Sequence, residues 1–202
     1  MNIVPFEIYH IYNQGNNKEL LFYENLDYFE FIRLFRRLVF PCCKVLSYCL
    51  MPNHFHFLIY TLEKSAESKR VGNIQSCELS NGFWLLQSSY AQYINKKLNR
   101  TGSLFRQKAK AKSMTDGDVH YQFVAFLYIH QNPVKARLVE KIEDWPYSSF
   151  VDFAGLRNGT LCDKLLAEKL IGYDKNNFIG ESCKTINEDL AKRIFHKKGH
   201  HI

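Results

Sequence analysis

The order in which the hydrophobic pattern changes period along the chain restricts its fold more than any other feature. Strand-like and helix-like segments follow one another as strand, helix, strand, strand, helix, strand and helix. The seven segments are predicted at residues 6–13, 25–40, 44–51, 54–61, 83–99, 104–114 and from about Asp116 or Asp118 to Pro133. This order predicts an α+β domain in which helices pack against an antiparallel sheet, and a split β-α-β arrangement is one solution.

Turn residues and polar stretches separate these elements. Pro52-Asn53 joins two adjacent strands and predicts an antiparallel hairpin. Residues 62–82 are rich in Ser, Glu, Lys and Gly and are predicted to form a loop. Residues 145–150 are rich in aromatic side chains and are expected to fold back onto the core.

The length of 202 residues fits one domain with an appended tail. Beyond about Ala154 the sequence predicts such a tail, in which the one helical pattern covers residues 186–195. The chain is therefore divided into a domain at residues 1–153 and a C-terminal tail of unknown role at residues 154–202.

The composition narrows the class of protein. The hydrophobic fraction of 46% is enough for a packed core, and no apolar run is long enough to cross a bilayer. The N-terminus has no signal-peptide pattern, so a cytoplasmic location without membrane contact is expected. The six cysteines form no CxxC pair and are interpreted as free thiols, and the net charge of +7 favours a polyanionic partner.

A basic segment gives this charge a location. Seven basic residues and no acidic one lie between Asn95 and Lys112. If the segment is a strand, Lys108, Lys110 and Lys112 project from one face. Contact with nucleic-acid phosphates is one interpretation, and a solvated edge strand protected from aggregation by its lysines is the alternative.

The sequence His54-Phe55-His56 places two imidazoles on one face of a predicted strand, because side chains alternate between faces. Two such ligands could hold one metal ion, but they are an incomplete site. A pair of partly exposed histidines on a sheet surface is the alternative.

The last predicted helix offers candidates for the rest of a site. Tyr128 and Asn132 are four residues apart and share a helix face. Taken alone, Tyr128 fits a half-buried tyrosine with its hydroxyl in water. Asn132 fits a C-terminal cap before Pro133.

Four motifs in one order connect these observations. The opening motif is YHIYNQGN at residues 9–16, followed by MPNHFHFLI at 51–59, GSLFRQK at 102–108 and YIHQNPVKARLV at 128–139, with WPYSS at 145–149. Together they resemble the REP-associated and related single-tyrosine HUH transposases over about residues 6–153. The chain departs from the family at Gln14, where arginine is frequent, and at Arg137, where glycine is frequent.

The resemblance implies a ferredoxin-like HUH endonuclease architecture and a specific set of site residues. Tyr128 would be the nucleophile that forms a 5′-phosphotyrosine link, and His54, His56 and Asn132 would bind a divalent cation, Mg²⁺ or Mn²⁺. The residues assigned to DNA binding are Lys96, Lys97, Arg100, Arg106, Lys108, Lys110, Lys112 and Lys135.

The resemblance also implies the activity and the partners. The expected protein is a metal-dependent single-stranded DNA endonuclease and strand transferase, a transposase that cleaves near hairpin DNA. Single-stranded or hairpin DNA is the expected partner, and a homodimer is one possible assembly. Two non-enzymatic alternatives stay open: a domesticated hairpin-binding protein without transposition activity, and a structural or RNA-binding α+β module. Among enzymes, a replication initiator or relaxase could share the chemistry.

Overall fold

The computed structural model describes residues 2–71, 74–114 and 119–186. The strands are β1 (Ile8–Gln14), β2 (Cys43–Met51), β3 (His54–Thr61), β4 (Ser68–Val71), β5 (Ile74–Cys77) and β6 (Lys110–Ser113). The α-helices are α1 (Asn25–Leu38), α2 (Glu63–Ala66), α3 (Glu78–Lys97), α4 (Val119–Lys135), α5 (Phe150–Phe153), α6 (Lys164–Ile171) and α7 (Phe178–Ser182). Short 3-10 helices lie at Asn16–Lys18, Phe40–Cys42 and Ile142–Asp144.

Four strands form the main sheet in the spatial order β2-β3-β1-β6, and all neighbouring pairs are antiparallel. The predicted hairpin is the pair β2–β3, and β4 and β5 form a separate hairpin. The long helices α1 and α3 link strands of the main sheet and pack against each other. This is the ferredoxin-like strand order, and the prediction of an α+β fold with an antiparallel sheet is confirmed.

The two faces of the main sheet bury separate hydrophobic cores. Phe55 and Phe57 of β3 pack with the apolar side chains of α1 and α3. Leu58 lies on the opposite face, which α4 and the C-terminal helices cover. Because side chains alternate along a strand, His54 and His56 lie on the same face as Leu58. The second face therefore carries both a core and the predicted site.

The prediction of a loop at residues 62–82 is wrong, because this segment holds α2, the β4–β5 hairpin and the first turn of α3. Gly82 lies inside α3, where a Cβ atom would come within 2.4 Å of the Leu38 carbonyl oxygen. The close packing of α3 on the end of α1, and not a turn, therefore requires glycine at this position.

The prediction of one continuous basic strand at residues 104–114 is also wrong, because regular pairing is limited to β6. Just before β6, two side chains replace the ladder hydrogen bonds. Asn13 Nδ2 donates to the Gln107 carbonyl oxygen at 2.7 Å, and Gln87 Oε1 accepts from the Ala109 amide at 3.0 Å. These long-range contacts break the alternation on which the prediction depended.

Helix α4 continues through Pro133 to Lys135, so the prediction that Pro133 ends it is wrong. Its predicted start at residues 116–118 lies outside the described residues. Proline has no amide hydrogen, so the Ile129 carbonyl oxygen loses its helical donor. Asn132 Nδ2 donates to this oxygen at 3.4 Å and compensates for the loss. The contact also holds the Asn132 side chain in one orientation.

The C-terminus of α4 contains Arg137, one of the two departures from the resembled family. The Leu138 amide donates to the Pro133 carbonyl oxygen and the Arg137 amide to that of Val134, each at 2.9 Å, which is a Schellman motif. Arg137 has a φ of 56° in this motif. A left-handed conformation costs an L-residue about 1–2 kcal/mol, which glycine avoids. The frequent glycine of the family therefore fits the backbone here better than arginine.

Helices α6 and α7 pack against α4 on the second face of the sheet, and the segment before α6 runs beside β2, where Cys162 pairs with Val45. Phe178 of α7 lies in the second core, and Gln131 Nε2 donates to the Ser182 carbonyl oxygen at 2.8 Å. The helix predicted at residues 186–195 lies outside the described residues beyond its first position. The division of the chain at residue 153 stays a prediction.

The aromatic segment at residues 145–150 folds back onto β2, as expected. The Tyr48 amide donates to Ser149 Oγ at 2.9 Å, and Trp145 Nε1 donates to the Leu50 carbonyl oxygen at 3.0 Å. His130 Nε2 lies 2.7 Å from Ser149 Oγ, and both residues are fully buried. This serine–histidine pair therefore anchors the segment and is closed to a substrate.

All six cysteines are free thiols, in agreement with the sequence-based interpretation. Within the described part of the chain, no helix combines the length and the apolar character of a membrane span.

Candidate functional site

An open cavity of about 540 Å³ lies where the end of β1 and the start of β3 meet α4 and the segment before β6. It brings together all four residues that were assigned to the chemistry of the site. Its lining consists of Tyr12, Asn13, Gln14, His54, His56, Arg106, Gln107, Lys110, Tyr128 and Asn132. Residues from four separate parts of the sequence therefore meet in one place.

The two histidines of β3 meet at right angles in this cavity. Their ring centroids are 5.0 Å apart with an interplanar angle of 85°. Burial lowers the pKa of His54 to about 4 and the pKa of His56 well below its ordinary value. Both imidazoles are therefore neutral at neutral pH, so neither repels a cation.

The Nδ1 atom of each histidine has a partner behind it. His54 Nδ1 lies 2.6 Å from Asn53 Oδ1, and His56 Nδ1 lies 2.9 Å from His10 Nε2. An amide oxygen only accepts hydrogen bonds, so His54 carries its proton on Nδ1. Its Nε2 then has a lone pair and no hydrogen. An outer hydrogen bond of this kind is typical of a metal-binding histidine.

His10 is a site residue that sequence reasoning missed. It is fully buried on β1, and its ring stacks on that of His56 with 5.1 Å between centroids. Burial, followed by the charge of Lys112, lowers the pKa of His10 to about 3, so it is neutral. The sequence does show that His10 and Tyr12 share one face of β1. It does not reveal the register of β1 on β3, which is what brings His10 to His56.

Tyr128 and Asn132 lie one turn apart on α4 and both line the cavity. The Asn132 amide nitrogen is held by the Ile129 carbonyl oxygen, so its Oδ1 is the atom left for a cation. Tyr128 is half-buried, and burial raises the pKa of its phenol. The Lys135 ammonium lies 4.0 Å from the centroid of the Tyr128 ring.

The cations assigned to DNA binding do not all line one cavity. Arg106 and Lys110 line the cavity, and Lys112 is paired with His10 across the β1–β6 ladder. Lys108 lies outside β6 and lines a second groove. The expected row of three lysines is therefore divided between two places.

Two other cations of that set are engaged in ion pairs. Lys97 Nζ lies 2.5 Å from Asp27 Oδ1 and 2.6 Å from Glu24 Oε1, and Arg100 pairs with Glu19 at 2.9 Å. Because Asp27 is fully buried, the Lys97 contact connects α3 to α1. Lys96, on the same helix, is exposed.

Among the described residues, no group of three or more His, Cys, Asp or Glu side chains is arranged to hold a metal ion. A cation in this cavity would depend on two imidazoles and one carboxamide oxygen. Because these donors are neutral, Mg²⁺ or Mn²⁺ would keep its full charge there.

Comparison with known proteins identifies a structural relative. No protein-family model and no curated protein matches this chain. Among solved structures, the chain is similar to a REP-associated tyrosine transposase bound to a REP hairpin, with a TM-score of 0.54. The similarity covers 79% of this chain and 90% of that chain at 15% sequence identity. At this level of identity the two proteins share a fold.

Proposed function

We propose that this protein is a metal-dependent nuclease and strand transferase that acts on single-stranded DNA beside hairpins. The observation that carries the proposal is that Tyr128, His54, His56 and Asn132 line the same cavity. The fold shared with a hairpin-bound tyrosine transposase supports hairpin DNA as the partner. The cytoplasmic location expected from the sequence is part of the same proposal.

His54, His56 and Asn132 would hold a divalent cation, because they line one cavity and two imidazoles and a carboxamide are side chains of the types that bind such ions. The cation would supply Lewis acidity toward a phosphate oxygen. The neutral state of both histidines favours binding, since no proton has to be displaced. Arg106 and Lys110 line the cavity and add charge that attracts the DNA backbone.

Tyr128 would perform the covalent step. Its phenol oxygen attacks the scissile phosphorus, the bond from phosphorus to the 3′-oxygen breaks, and the released 3′-oxygen takes up a proton. The raised pKa keeps the phenol protonated at neutral pH, so it must lose its proton as it attacks. The 5′-phosphotyrosine retains the phosphodiester energy, so a 3′-hydroxyl can reseal the strand without ATP.

The test of the function is a covalent adduct. Labelled single-stranded DNA from the flanks of the gene, containing its hairpins, is incubated with the protein and Mn²⁺. A labelled band at the mass of protein plus DNA in denaturing gels is expected. The hairpin-binding alternative predicts retarded DNA in native gels and no adduct.

His10 is expected to fix the protonation of His56. If His56 donates from Nδ1 to His10 Nε2, its own Nε2 is available to a metal. His10→Phe keeps the ring but removes the acceptor, and it should weaken Mn²⁺ binding by about ten- to a hundredfold. His10→Gln offers an amide oxygen and should lose less. Calorimetry with Mn²⁺ measures this, and equal affinities in both variants and the wild type would refute the role.

Lys110 and Lys112 are expected to contribute to DNA affinity by neutralising phosphates. The double variant Lys110→Gln/Lys112→Gln should reduce the slope of log affinity against log salt by about 0.7 for each phosphate that is no longer neutralised. Lys169→Gln on α6 is the matched control, since its exposed lysine lies outside the cavity. An unchanged slope with increased aggregation would favour the edge-strand interpretation instead.

A further inference from the structure

A second groove of about 290 Å³ lies between α3 and the segment before β6. From α3 it is lined by Trp84, Ser88 and Ala91, which recur at helical spacing on one face. The opposite wall includes Arg106 and Lys108. The groove is outside the four-residue site described above.

Trp84 is the unusual member of this groove. Large side chains that α3 contributes to the first core, such as Phe83 and Tyr90, are fully buried, whereas Trp84 is 48% exposed. Ser88 and Ala91 are small, so they leave space beside the indole. An exposed aromatic ring next to an open space is the arrangement on which an unpaired base stacks.

The walls of the groove are held in place. Gln87 is 8% exposed, and its Nε2 donates to the Gln107 carbonyl oxygen at 3.2 Å. Its Oε1 accepts from the Ala109 amide at 3.0 Å. One buried glutamine thus connects α3 to the basic segment, so the groove is formed before any ligand binds.

Charge and position identify the occupant. Arg106 and Lys108 are exposed, and the sequence from Asn95 to Lys112 has no acidic residue to offset them. Arg106 and Gln107 line both this groove and the cavity with Tyr128. A polyanionic strand that occupies the cavity can therefore pass directly into the groove.

We propose that the groove binds an unpaired nucleotide of the same DNA strand, with its base stacked on Trp84 and its phosphates beside Arg106 and Lys108. This inference rests on the proposed function, because it takes single-stranded DNA as the substrate. It adds a binding site for the strand that leaves the cavity. Stacking accepts every base, so the site holds the strand without reading its sequence.

Tryptophan fluorescence tests the inference without any cleavage. The chain has two tryptophans, and the Trp145→Phe variant leaves Trp84 as the single emitter. This variant is titrated with a single-stranded thymidine ten-mer in EDTA, which excludes metal-dependent chemistry. Quenching that saturates together with DNA binding, measured by anisotropy of a labelled ten-mer, is expected. Binding without a change in emission would overturn the proposal.

Three substitutions distinguish stacking of a base on the indole ring from the effect of side-chain size. Trp84→Leu lacks a π-face and should weaken ten-mer binding by about five- to a hundredfold, whereas Trp84→Phe should stay close to the wild type. Phe29→Ala is the matched control, because Phe29 is 65% exposed on α1 and does not line the groove. Wild-type affinity in Trp84→Leu overturns the inference.

The outcomes also distinguish this inference from the proposed function. Fluorescence quenching and weaker binding by Trp84→Leu, without any Tyr128 adduct in the wild type, would contradict the proposed nuclease and support the stacking site. A Tyr128 adduct together with wild-type DNA affinity in the Trp84 variants would support the nuclease and contradict the stacking site. Failure of the wild-type protein to bind the ten-mer, alone or within a hairpin substrate, would remove both.

Discussion

Tyr128→Phe is expected to abolish the covalent protein–DNA adduct while the affinity for DNA stays close to that of the wild type. The substitution removes one oxygen atom, and without it no phosphotyrosine can form. Loss of a nucleophile costs at least about a thousandfold in rate, so the adduct should fall below detection in a denaturing gel. Affinity should persist because Arg106 and Lys110, and not the phenol, supply charge to the cavity.

Tyr121→Phe is the matched control on the same helix, since Tyr121 is not among the residues that line the cavity. It should form the adduct at the wild-type rate. An adduct in Tyr128→Phe would contradict the assignment and move the nucleophile to Tyr12, which lines the cavity.

The parts of the site that follow from local geometry could be predicted from the sequence. Alternation along a strand places His54 and His56 on one face, and the helical period places Tyr128 and Asn132 on one face. Both rules need only neighbouring residues. That the two pairs share a cavity depends on how α4 packs on the sheet, which the family resemblance implied and periodicity alone could not reveal.

The features that sequence reasoning missed depend on residues far apart in the chain. His10 meets His56 across 46 residues, and Lys97 meets Asp27 across 70. The basic segment therefore led to a DNA-binding assignment for Lys97, whose ammonium group instead forms an ion pair between α3 and α1. The broken basic strand has the same cause, because Gln87 replaces its ladder bond from a different element.

The fold could be predicted further than the site because the order of the elements restricts it strongly. Errors in single elements, such as the missed β4–β5 hairpin, did not alter the order of the four main strands. Pro133 was misread because a proline inside a helix requires a compensating donor. Asn132 provides one, and a side-chain contact of this kind is not visible in a hydrophobic pattern.

His56→Ala is expected to weaken Mn²⁺ binding by at least about a hundredfold, since even outer partners of a metal ligand are worth about ten- to a hundredfold. The adduct should then require a large excess of metal, whereas DNA affinity in chelator should be unchanged. Titration of the protein with Mn²⁺ in a calorimeter, with and without DNA, measures both effects. A loss of stability of about 1–3 kcal/mol is also expected, because His10 Nε2 loses its buried partner.

His54→Ala separates the metal from the fold. His54 is less buried than His56 and bonds through Nδ1 to the adjacent Asn53, so its removal should leave the melting temperature almost unchanged. Asn53→Ala is the graded comparison, because it keeps the imidazole, removes the partner of its Nδ1 and should have a smaller effect on Mn²⁺ affinity. It also removes the exposed hydrogen bond from Asn53 Nδ2 to the Lys18 carbonyl oxygen. Normal adduct formation by His54→Ala in chelator-treated buffer would contradict a metal site. The cavity would then need another source of charge for the phosphate, and Arg106 and Lys110 are the cations that line it.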